Sequence, residues 1–319
     1  MKLKCAILDD YQQVALSMAD WSALGDRVEV FSIGQHFGDE SELAVHLQDC
    51  DILVIMRERT PITATLLARL PQLKLLITSG MRNASIDLAA AAQRGVIVCG
   101  TASGSAAPME LSWALLLGLA KHLLVENHGL RNNGPWQQTV GVTLQGKTLG
   151  LLGLGKIGSQ MAVVAQAFGM RVLAWSQNLT AERAAEVGVT LAASKQALFE
   201  QSDFVSVHLV LSERSRGLVG QPELQAMKKT AYLINTSRAA IVDRSALIDA
   251  LQQGQIAGAG LDVFEVEPLP SDDIFRQLPN VLATPHLGYV ADSNYQIYFR
   301  EAIENIEAFI AGVPLRQLA

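Results

Sequence analysis

Cysteine is scarce in this chain, with three residues among 319. Cys5, Cys50 and Cys99 lie far apart in the sequence, and each adjoins an apolar run of strand length. The chain has no Cys-x-x-Cys pair and no cluster of cysteine with histidine at the spacing of metal ligands. We therefore predict buried free thiols in a reducing compartment, and no metal site.

Basic runs and long apolar segments are also missing. The net charge of −6 argues against nucleic acid or an anionic membrane surface as a partner. The longest apolar run, residues 111–120, contains Ser112 and is followed by Lys121, so we interpret it as a core helix. The first apolar run, residues 5–8, is too short for a signal peptide or a membrane span. These features predict a cytoplasmic protein without a membrane segment.

The chain is instead rich in short apolar runs that alternate with helical patterns. Its length suffices for two domains, and half of its residues are hydrophobic. In the first hundred residues the predicted strands are 5–8, 28–31, 52–55, 75–78 and 96–98, and the predicted helices are 11–24, 40–47, 63–69 and 86–94. Such alternation is typical of a parallel sheet covered on both faces. Five strands without a glycine fingerprint predict a flavodoxin-like first domain.

An apolar helical pattern follows at residues 105–130. Pro108 suits the first turn of a helix, and Asn-Asn-Gly-Pro at residues 132–135 ends the pattern with turn-forming residues. Residues 110–130 would span about 30 Å at the helical rise. We predict one continuous helix here, leading from the first domain to the second.

The alternation then resumes with six predicted strands, which fits a Rossmann sheet. The strands are residues 148–152, 171–175, 204–207, 231–234, 258–261 and 281–283, and the helices are 157–168, 181–187, 194–199 and 245–252. The amphipathic pattern at residues 292–311 predicts a last helix that returns to the first domain. The predicted fold class is thus α/β with two doubly wound parallel-sheet domains. The flavodoxin-like domain would comprise residues 1–103 and 291–319, and the Rossmann domain residues 104–290.

The most informative segment is residues 147–158, with the sequence KTLGLLGLGKIG. A strand, a G-x-G-x-x-G turn and a helix together form the dinucleotide-binding fingerprint. Its glycines permit a tight turn, a close approach to the pyrophosphate and close helix packing, and the helix N-terminus attracts phosphate. The predicted nucleotide-contacting residues are Gly153, Leu154, Gly155, Lys156, Ile157 and Gly158. The alternative is a glycine-rich turn that binds nothing.

Three side chains of catalytic type follow predicted strands of the same sheet. These are Arg238, Glu267 and His286. Each has an ordinary alternative, namely a surface salt bridge, a solvated loop carboxylate and a turn residue after proline. Because ligands of doubly wound sheets bind at the carboxyl ends of strands, their shared position favours one site.

Together these three residues would suit oxidation of a hydroxyl group that lies beside a carboxylate. Arg238 would hold the carboxylate through a bidentate, charge-assisted contact. His286 would take the hydroxyl proton as hydride leaves the same carbon for a nicotinamide, and would return it in the reverse reaction. Glu267 would fix the tautomer of the imidazole and stabilise its charged form.

The glycine fingerprint and the Arg–Glu–His set make the chain similar to the D-isomer-specific 2-hydroxyacid dehydrogenases, and the similarity extends over nearly its whole length. The matching segments are GKTLGLLGLGKIG, SVHLVLSERSRGLVG, LINTSRAAIVD, LDVFEVEPLP and TPHLG, with the Arg–Glu–His set in the family's order. The resemblance implies that the flavodoxin-like domain binds the substrate, a small D-2-hydroxy or 2-keto acid. It also implies a homodimer built largely through the cofactor domains. Further cofactor contacts would come from His208, Thr236, Ser237, Asp262 and Gly288.

One departure from the family concerns the choice of cofactor. Members that prefer NAD usually carry an acidic residue after the second strand of the cofactor domain, where this chain has Ser176. The loss of that carboxylate removes a repulsion against the 2′-phosphate of NADP, and Arg183 follows on the next predicted helix. The sequence thus permits NAD or NADP, with a slight lean toward NADP.

A second departure lies in the predicted substrate loop, which comprises Ser79, Gly80, Met81 and Arg82. Backbone amides at residues 79–81 would bind the substrate carboxylate. Arg82 stands where the family usually has glycine, so it would either meet a second acidic group on the substrate or serve only structure. Arg57 matches a position that contacts substrate in some members, and its alternative is a salt bridge at a domain interface.

Two alternative functions stay open at this point. On the same scaffold, the substrate could be formate, phosphite or a phosphorylated hydroxy acid. A second class is a non-catalytic NAD(H)-sensing binding protein like the C-terminal-binding-protein corepressors, which keep the catalytic set.

Overall fold

The computed structural model describes residues 2–318, which form two compact units. Within the described residues, unit 1 runs up to Gly104 and resumes at Ala291, and unit 2 comprises Ser105–Val290. The strands are β1 Leu3–Ile7, β2 Val28–Ser32, β3 Ile52–Ile55, β4 Leu75–Thr78, β5 Ile97–Cys99, β6 Thr148–Leu152, β7 Arg171–Trp175, β8 Thr190–Leu191, β9 Phe204–Val207, β10 Tyr232–Asn235, β11 Gly258–Leu261 and β12 Val281–Ala283. The α-helices are α1 Glu40–Leu47, α2 Ala64–Ala68, α3 Leu88–Gln93, α4 Ala106–Ala120, α5 Leu123–Arg131, α6 Lys156–Ala167, α7 Ala181–Glu186, α8 Lys195–Gln201, α9 Gln221–Ala226, α10 Arg244–Gln252 and α11 Asp292–Ile310.

Unit 1 is built on a five-stranded parallel sheet with the order β2-β1-β3-β4-β5. This is the flavodoxin-like order, and it confirms the predicted fold class. β3 and β4 are buried along their whole length, as expected for the mostly apolar strands of a parallel sheet covered on both faces. The last helix, α11, packs against β4 within the same unit.

The predicted helix at residues 11–24 is wrong. The chain there forms two 3₁₀ segments, Ala15–Ser17 and Trp21–Arg27. The carboxylate of Asp10 accepts hydrogen bonds from the amides of Val14 and Ala15, and that of Asp20 accepts one from Ser22. Aspartate side chains that bond nearby amides compete with the regular α-helical pattern, which explains the short turns.

Unit 2 is built on a seven-stranded parallel sheet with the order β12-β11-β10-β9-β6-β7-β8. The order reverses between β6 and β9, and this is the switch point at which Rossmann sheets bind nucleotides. Six strands were expected from the sequence, and the seventh, β8, has only two residues. A strand of two residues is too short to produce a periodic pattern.

The predicted continuous helix at residues 105–130 is broken. α4 and α5 are bent by 64° at Lys121 and His122, and His122 has a left-handed φ of 50°. The carbonyl of Ala120 accepts a hydrogen bond from the Val142 amide, so a later segment caps α4 at this break. Among residues 2–318 no single helix is long and apolar enough to cross a membrane; the bent pair α4–α5 passes that test only when joined.

Candidate active site

The three predicted catalytic residues follow three neighbouring strands of unit 2. Arg238 follows β10, Glu267 follows β11 and His286 follows β12. Since these strands are parallel and adjacent, their carboxyl ends lie at one edge of the sheet. The topology therefore places the three loops side by side.

The side chains of Glu267 and His286 form a close pair. Glu267 Oε2 lies 2.7 Å from His286 Nδ1, and both side chains are largely buried. The other oxygen, Oε1, accepts a hydrogen bond of 2.8 Å from the amide of Phe264, which fixes the carboxylate. With the Nδ1 proton donated to Glu267, the neutral ring carries its lone pair on Nε2. The pair has the geometry of a general base with its orienting carboxylate.

His286 lies in a tight turn with a left-handed backbone, at φ 52°. Its amide donates to the carbonyl of Thr284, only two residues earlier. The carboxylate of Asp262 holds this turn, because it accepts hydrogen bonds from the Thr284 hydroxyl (2.6 Å) and from the amides of Leu287 (2.7 Å) and Gly288 (2.9 Å). A sparsely populated conformation at a functional residue persists only when such contacts over-determine it.

Asp262 is fully buried, and this burial raises the pKa of its carboxyl group, opposed by the hydrogen bond from Thr284. Oδ1 accepts two hydrogen bonds from the His286 turn and Oδ2 accepts one. A carboxylate has about four acceptor positions, so a further contact with a cofactor is compatible with this role. The predicted contact of Asp262 with the nicotinamide, and that of Gly288 with the cofactor, remain predictions.

The loop that carries Arg238 is shaped by Asn235, the last residue of β10. The side chain of Asn235 accepts from the Ser237 amide (3.1 Å) and donates to the Arg238 carbonyl (3.1 Å). The Ser237 hydroxyl donates to the carbonyl of Leu209, which anchors the loop to the segment after β9. The guanidinium of Arg238 donates through one nitrogen to the Ser237 carbonyl at 2.8 Å. The arginine is thus partly buried and held by its own loop.

The glycine turn after β6 has the geometry that a dinucleotide requires. Gly153 has φ 107°, and a methyl group there would lie 2.7 Å from the carbonyl oxygen of His208. A methyl group on Gly158 would collide with the Gly153 carbonyl, whereas at Gly155 it would meet nothing within 4 Å. Gly155 is the N-cap of α6 and offers no side-chain cap, so the first amides of the helix suit an anion.

His208 packs beside this turn. Its Nε2 lies 2.8 Å from the hydroxyl of Ser206, the residue two positions earlier in β9. Burial lowers the pKa of His208 to about 4, because the charged imidazolium is disfavoured away from water. At neutral pH the ring is therefore uncharged and acts through hydrogen bonds.

Ser176 follows β7, at the position where an acidic residue would face the ribose of the nucleotide. On the next helix, the guanidinium of Arg183 lies 3.3 Å from the hydroxyl of Ser159 in the first turn of α6. The same guanidinium forms a 2.9 Å ion pair with Glu186. Arg183 thus reaches from α7 to the helix that begins at the glycine turn.

In unit 1, the predicted substrate residues meet after β3 and β4. Arg57 has a left-handed φ of 52°, its amide donates to the Ser79 hydroxyl (2.9 Å), and its guanidinium donates to the Ser79 carbonyl (3.0 Å). The amide of Ser79 donates to the carbonyl of Ile55, and that of Gly80 donates to the Thr101 hydroxyl. These two amides therefore donate within the protein, and the binding of substrate by residues 79–82 remains a prediction. Met81 and Arg82 are exposed.

Two supporting contacts were not foreseen from the sequence. The hydroxyl groups of Thr236 and Ser112 form a hydrogen bond of 2.7 Å, and the Ser112 hydroxyl also donates to the carbonyl of Pro108. Asn235 shapes the arginine loop as described above. The signal for Asn235 was a polar residue at the end of a buried strand, but its partners depend on the turn that follows.

A dinucleotide turn and an Arg with a Glu–His pair at the carboxyl edge of one sheet define the site of a nucleotide-dependent oxidoreductase. Residues 113–288 match the model of the D-isomer specific 2-hydroxyacid dehydrogenase, NAD binding domain. The chain is 37% identical over 260 residues to a glyoxylate reductase of Aeropyrum pernix, covering 79% of this chain and 77% of that protein. The chain therefore belongs to the D-isomer-specific 2-hydroxyacid dehydrogenase family.

Other relatives agree with this assignment. A D-3-phosphoglycerate dehydrogenase of Synechocystis is 35% identical over 82% of this chain, which spans about half (48%) of that longer protein. A solved structure of a phosphoglycerate oxidoreductase from Vibrio cholerae superposes with a TM-score of 0.93 at 40% identity, covering 97% of this chain and 99% of that one.

Proposed function

We propose that this chain reduces a small 2-keto acid to the D-2-hydroxy acid, and catalyses the reverse oxidation, with NAD(H) or NADP(H). The observation that carries the proposal is the Glu267–His286 pair at 2.7 Å, on the same sheet edge as Arg238 and in the same unit as the glycine turn. A relative named glyoxylate reductase supports a small keto acid as substrate.

In this mechanism the side chains of unit 2 hold the substrate and move one proton. A nicotinamide dinucleotide held at the glycine turn of residues 153–158 would supply the hydride for C2 of the keto acid. Arg238 binds the carboxylate, and His286 donates the proton on Nε2 to the keto oxygen as that oxygen gains negative charge. Glu267 stabilises the imidazolium before transfer, because its carboxylate accepts the Nδ1 proton in a hydrogen bond.

We assign the substrate contacts of unit 1 to Met81 and Arg82. Arg57 supports the same loop through its hydrogen bonds to Ser79. The amides of Ser79 and Gly80 donate within the protein, which leaves the exposed half of the loop for the ligand. An arginine at residue 82 favours a substrate that carries a second acidic group.

The test is consumption of NADH and NADPH with a panel of glyoxylate, hydroxypyruvate, 2-keto dicarboxylic acids and phosphohydroxypyruvate, together with formate and phosphite as hydride donors. We expect turnover with at least one keto acid and formation of the D-hydroxy acid. Turnover with formate or phosphite alone would reject the keto-acid assignment, and no turnover at all would favour a sensing protein.

We further propose a relaxed preference between the cofactors that leans toward NADP. Ser176 places no carboxylate at the ribose position, and Arg183 supplies a cation that reaches the first turn of α6. Ser176→Asp is expected to lower kcat/KM for NADPH by about 10- to 100-fold, since like charges would meet, with a much smaller change for NADH. A matched variant, Gln221→Asp on α9, adds the same charge elsewhere and should leave the ratio of kcat/KM for NADPH to kcat/KM for NADH unchanged. A large preference of the unaltered chain for NADH would contradict the proposal.

We propose that the chain forms a homodimer through α5 and the segment after it. Exposed apolar side chains concentrate there, at Leu123, Leu124, Val125, Leu130, Trp136 and Val140, and the last two are 80% and 92% exposed. Light scattering should give twice the chain mass of 34.4 kDa. Leu124→Glu should yield a monomer, whereas Leu16→Glu, at an exposed leucine of unit 1, should not. A monomeric unaltered chain would refute this proposal.

We propose a cytoplasmic location. Cys5, Cys50 and Cys99 are buried and free, and burial raises the pKa of Cys50 and of Cys99 to about 11. Such thiols stay protonated and unreactive, as in proteins of reducing compartments. Fractionation of cells that express the chain would test the location.

A further inference from the structure

Helix α11 carries a polar stripe that forms hydrogen bonds with four of the five residues 100–104, all within unit 1. The stripe consists of Asn294, Tyr298, Glu301 and Asn305, which recur every three or four residues and so share one helix face. The contacts are Gly104 N to Asn294 Oδ1 (2.9 Å), Ser103 Oγ with Tyr298 OH (2.9 Å), Ala102 N to Glu301 Oε2 (2.6 Å) and Asn305 Nδ2 to Gly100 O (2.9 Å). The four side chains are buried, so this segment has little freedom to move.

Arg316, close to the end of the chain, fixes two members of this stripe. Its guanidinium lies 3.2 Å from Glu301 Oε2 and donates to Asn305 Oδ1 at 3.0 Å. It also pairs with Glu304, and its backbone carbonyl accepts a hydrogen bond from the Gly100 amide at 2.9 Å. One arginine thus compensates the buried charge of Glu301 and orients Asn305.

The segment held in this way is in direct contact with the substrate loop, residues 79–82. The Gly80 amide donates to the Thr101 hydroxyl at 3.0 Å, and the Thr101 amide donates back to the Gly80 carbonyl at 3.4 Å. A methyl group on Gly100 would lie 2.7 Å from the Gly80 oxygen and 2.8 Å from the sulfur of Met81. No space remains between the two segments, so a shift of one moves the other.

We propose that Arg316 is a positioning residue for the substrate loop. Arg316 lies outside that loop and acts on it indirectly. It orients Glu301 and Asn305, these two residues bind the segment 100–102, and that segment positions Gly80 and Met81. The inference rests on the proposed role of the loop in substrate binding. Because productive binding depends on sub-ångström placement, a small displacement of the loop should weaken substrate binding more than it alters the proton-transfer residues of unit 2.

The first experiment is Arg316→Gln in the full chain, measured with the keto acid that the unaltered chain reduces best. We expect KM for the keto acid to rise about tenfold, while kcat and the Kd for NAD(P)H change less than about twofold. Arg316→Lys should recover part of this loss, because lysine can meet Glu301 but cannot also orient Asn305. The matched control is Arg27→Gln, which removes a half-exposed ion pair with Glu307 of the same helix and should leave KM unchanged.

A second variant tests the contact between the segment 100–102 and the substrate loop, and it does not disturb the buried carboxylate of Glu301. Thr101→Val removes the hydroxyl that accepts the Gly80 amide and should raise KM in the same way, while Thr101→Ser should not. If both residues act on the loop through one path, the double variant Arg316→Gln/Thr101→Val should raise KM no more than the larger single effect.

The outcomes separate this inference from the proposed function. Normal turnover of the unaltered chain, with an unchanged KM in Arg316→Gln or in Thr101→Val, would overturn the inference alone. Effects that multiply in the double variant would also overturn it, since the two residues would then act independently. No turnover of any keto acid by the unaltered chain would overturn the proposed function, and this inference with it.

Discussion

Replacing His286 with alanine is expected to lower kcat by ~10²- to 10⁴-fold, the usual contribution of a positioned acid–base group. The variant loses the group that donates a proton to the keto oxygen, while the glycine turn that binds the dinucleotide stays intact. Steady-state kinetics with the best keto acid measures the loss. Titration with NADH and NADPH by calorimetry should give a Kd within about twofold of that of the unaltered chain.

Two further variants distinguish proton transfer from loop geometry. His286→Gln can still bond to Glu267 but cannot exchange a proton, so it should be as inactive as the alanine variant. His46→Ala, at an exposed histidine of α1, serves as the matched control and should retain full kcat. Near-normal turnover in His286→Gln would refute the assigned role, since the side chain would then matter only for its shape.

The sequence predicted most of the architecture because both sheets are parallel and buried. Strands such as β3, β4 and β9 are short, mostly apolar runs, and their spacing marks each βα unit. The two helix predictions that were wrong lie where local hydrogen bonds or backbone conformation override the periodic pattern of apolar residues. Asp10 and Asp20 turn a helical pattern into 3₁₀ segments, and His122 breaks a long apolar helix with a left-handed residue. Neither event leaves a periodic signal.

The candidate site was predictable to the level of which residues follow which strands. Arg238, Glu267 and His286 could be proposed from their positions after strands, since a parallel sheet gathers the ends of its strands at one edge. The support around them could not be predicted in the same way. Asp262 stabilises the turn at His286, and Arg316 stabilises the polar stripe of α11. Both do so through hydrogen bonds between residues that are not neighbours in sequence, and only the folded structure determines these bonds.

Replacing Arg238 with lysine is expected to raise KM for the keto acid by ~10- to 100-fold, with a smaller loss in kcat and no change in KM for NAD(P)H. The lost interaction is a charge-assisted contact worth about 1.5–3 kcal/mol. The guanidinium donates through one nitrogen to the Ser237 carbonyl at 2.8 Å, and the planar fork of a guanidinium matches a carboxylate in two-point contact. A single ammonium cannot serve the loop and hold a carboxylate in two-point contact.

A substrate analogue sharpens this prediction, because it removes the charge from the ligand and leaves the protein unaltered. With an amide in place of the carboxylate, the unaltered chain should lose most of its kcat/KM, and Arg238→Lys should lose little more. Arg244→Lys, at an arginine that pairs with Asp273 at 2.9 Å in the same unit, is the matched control and should behave as the unaltered chain. If Arg238→Lys discriminated between acid and amide as strongly as the unaltered chain, the carboxylate would have to be bound elsewhere, and the exposed Arg82 would become the first residue to test.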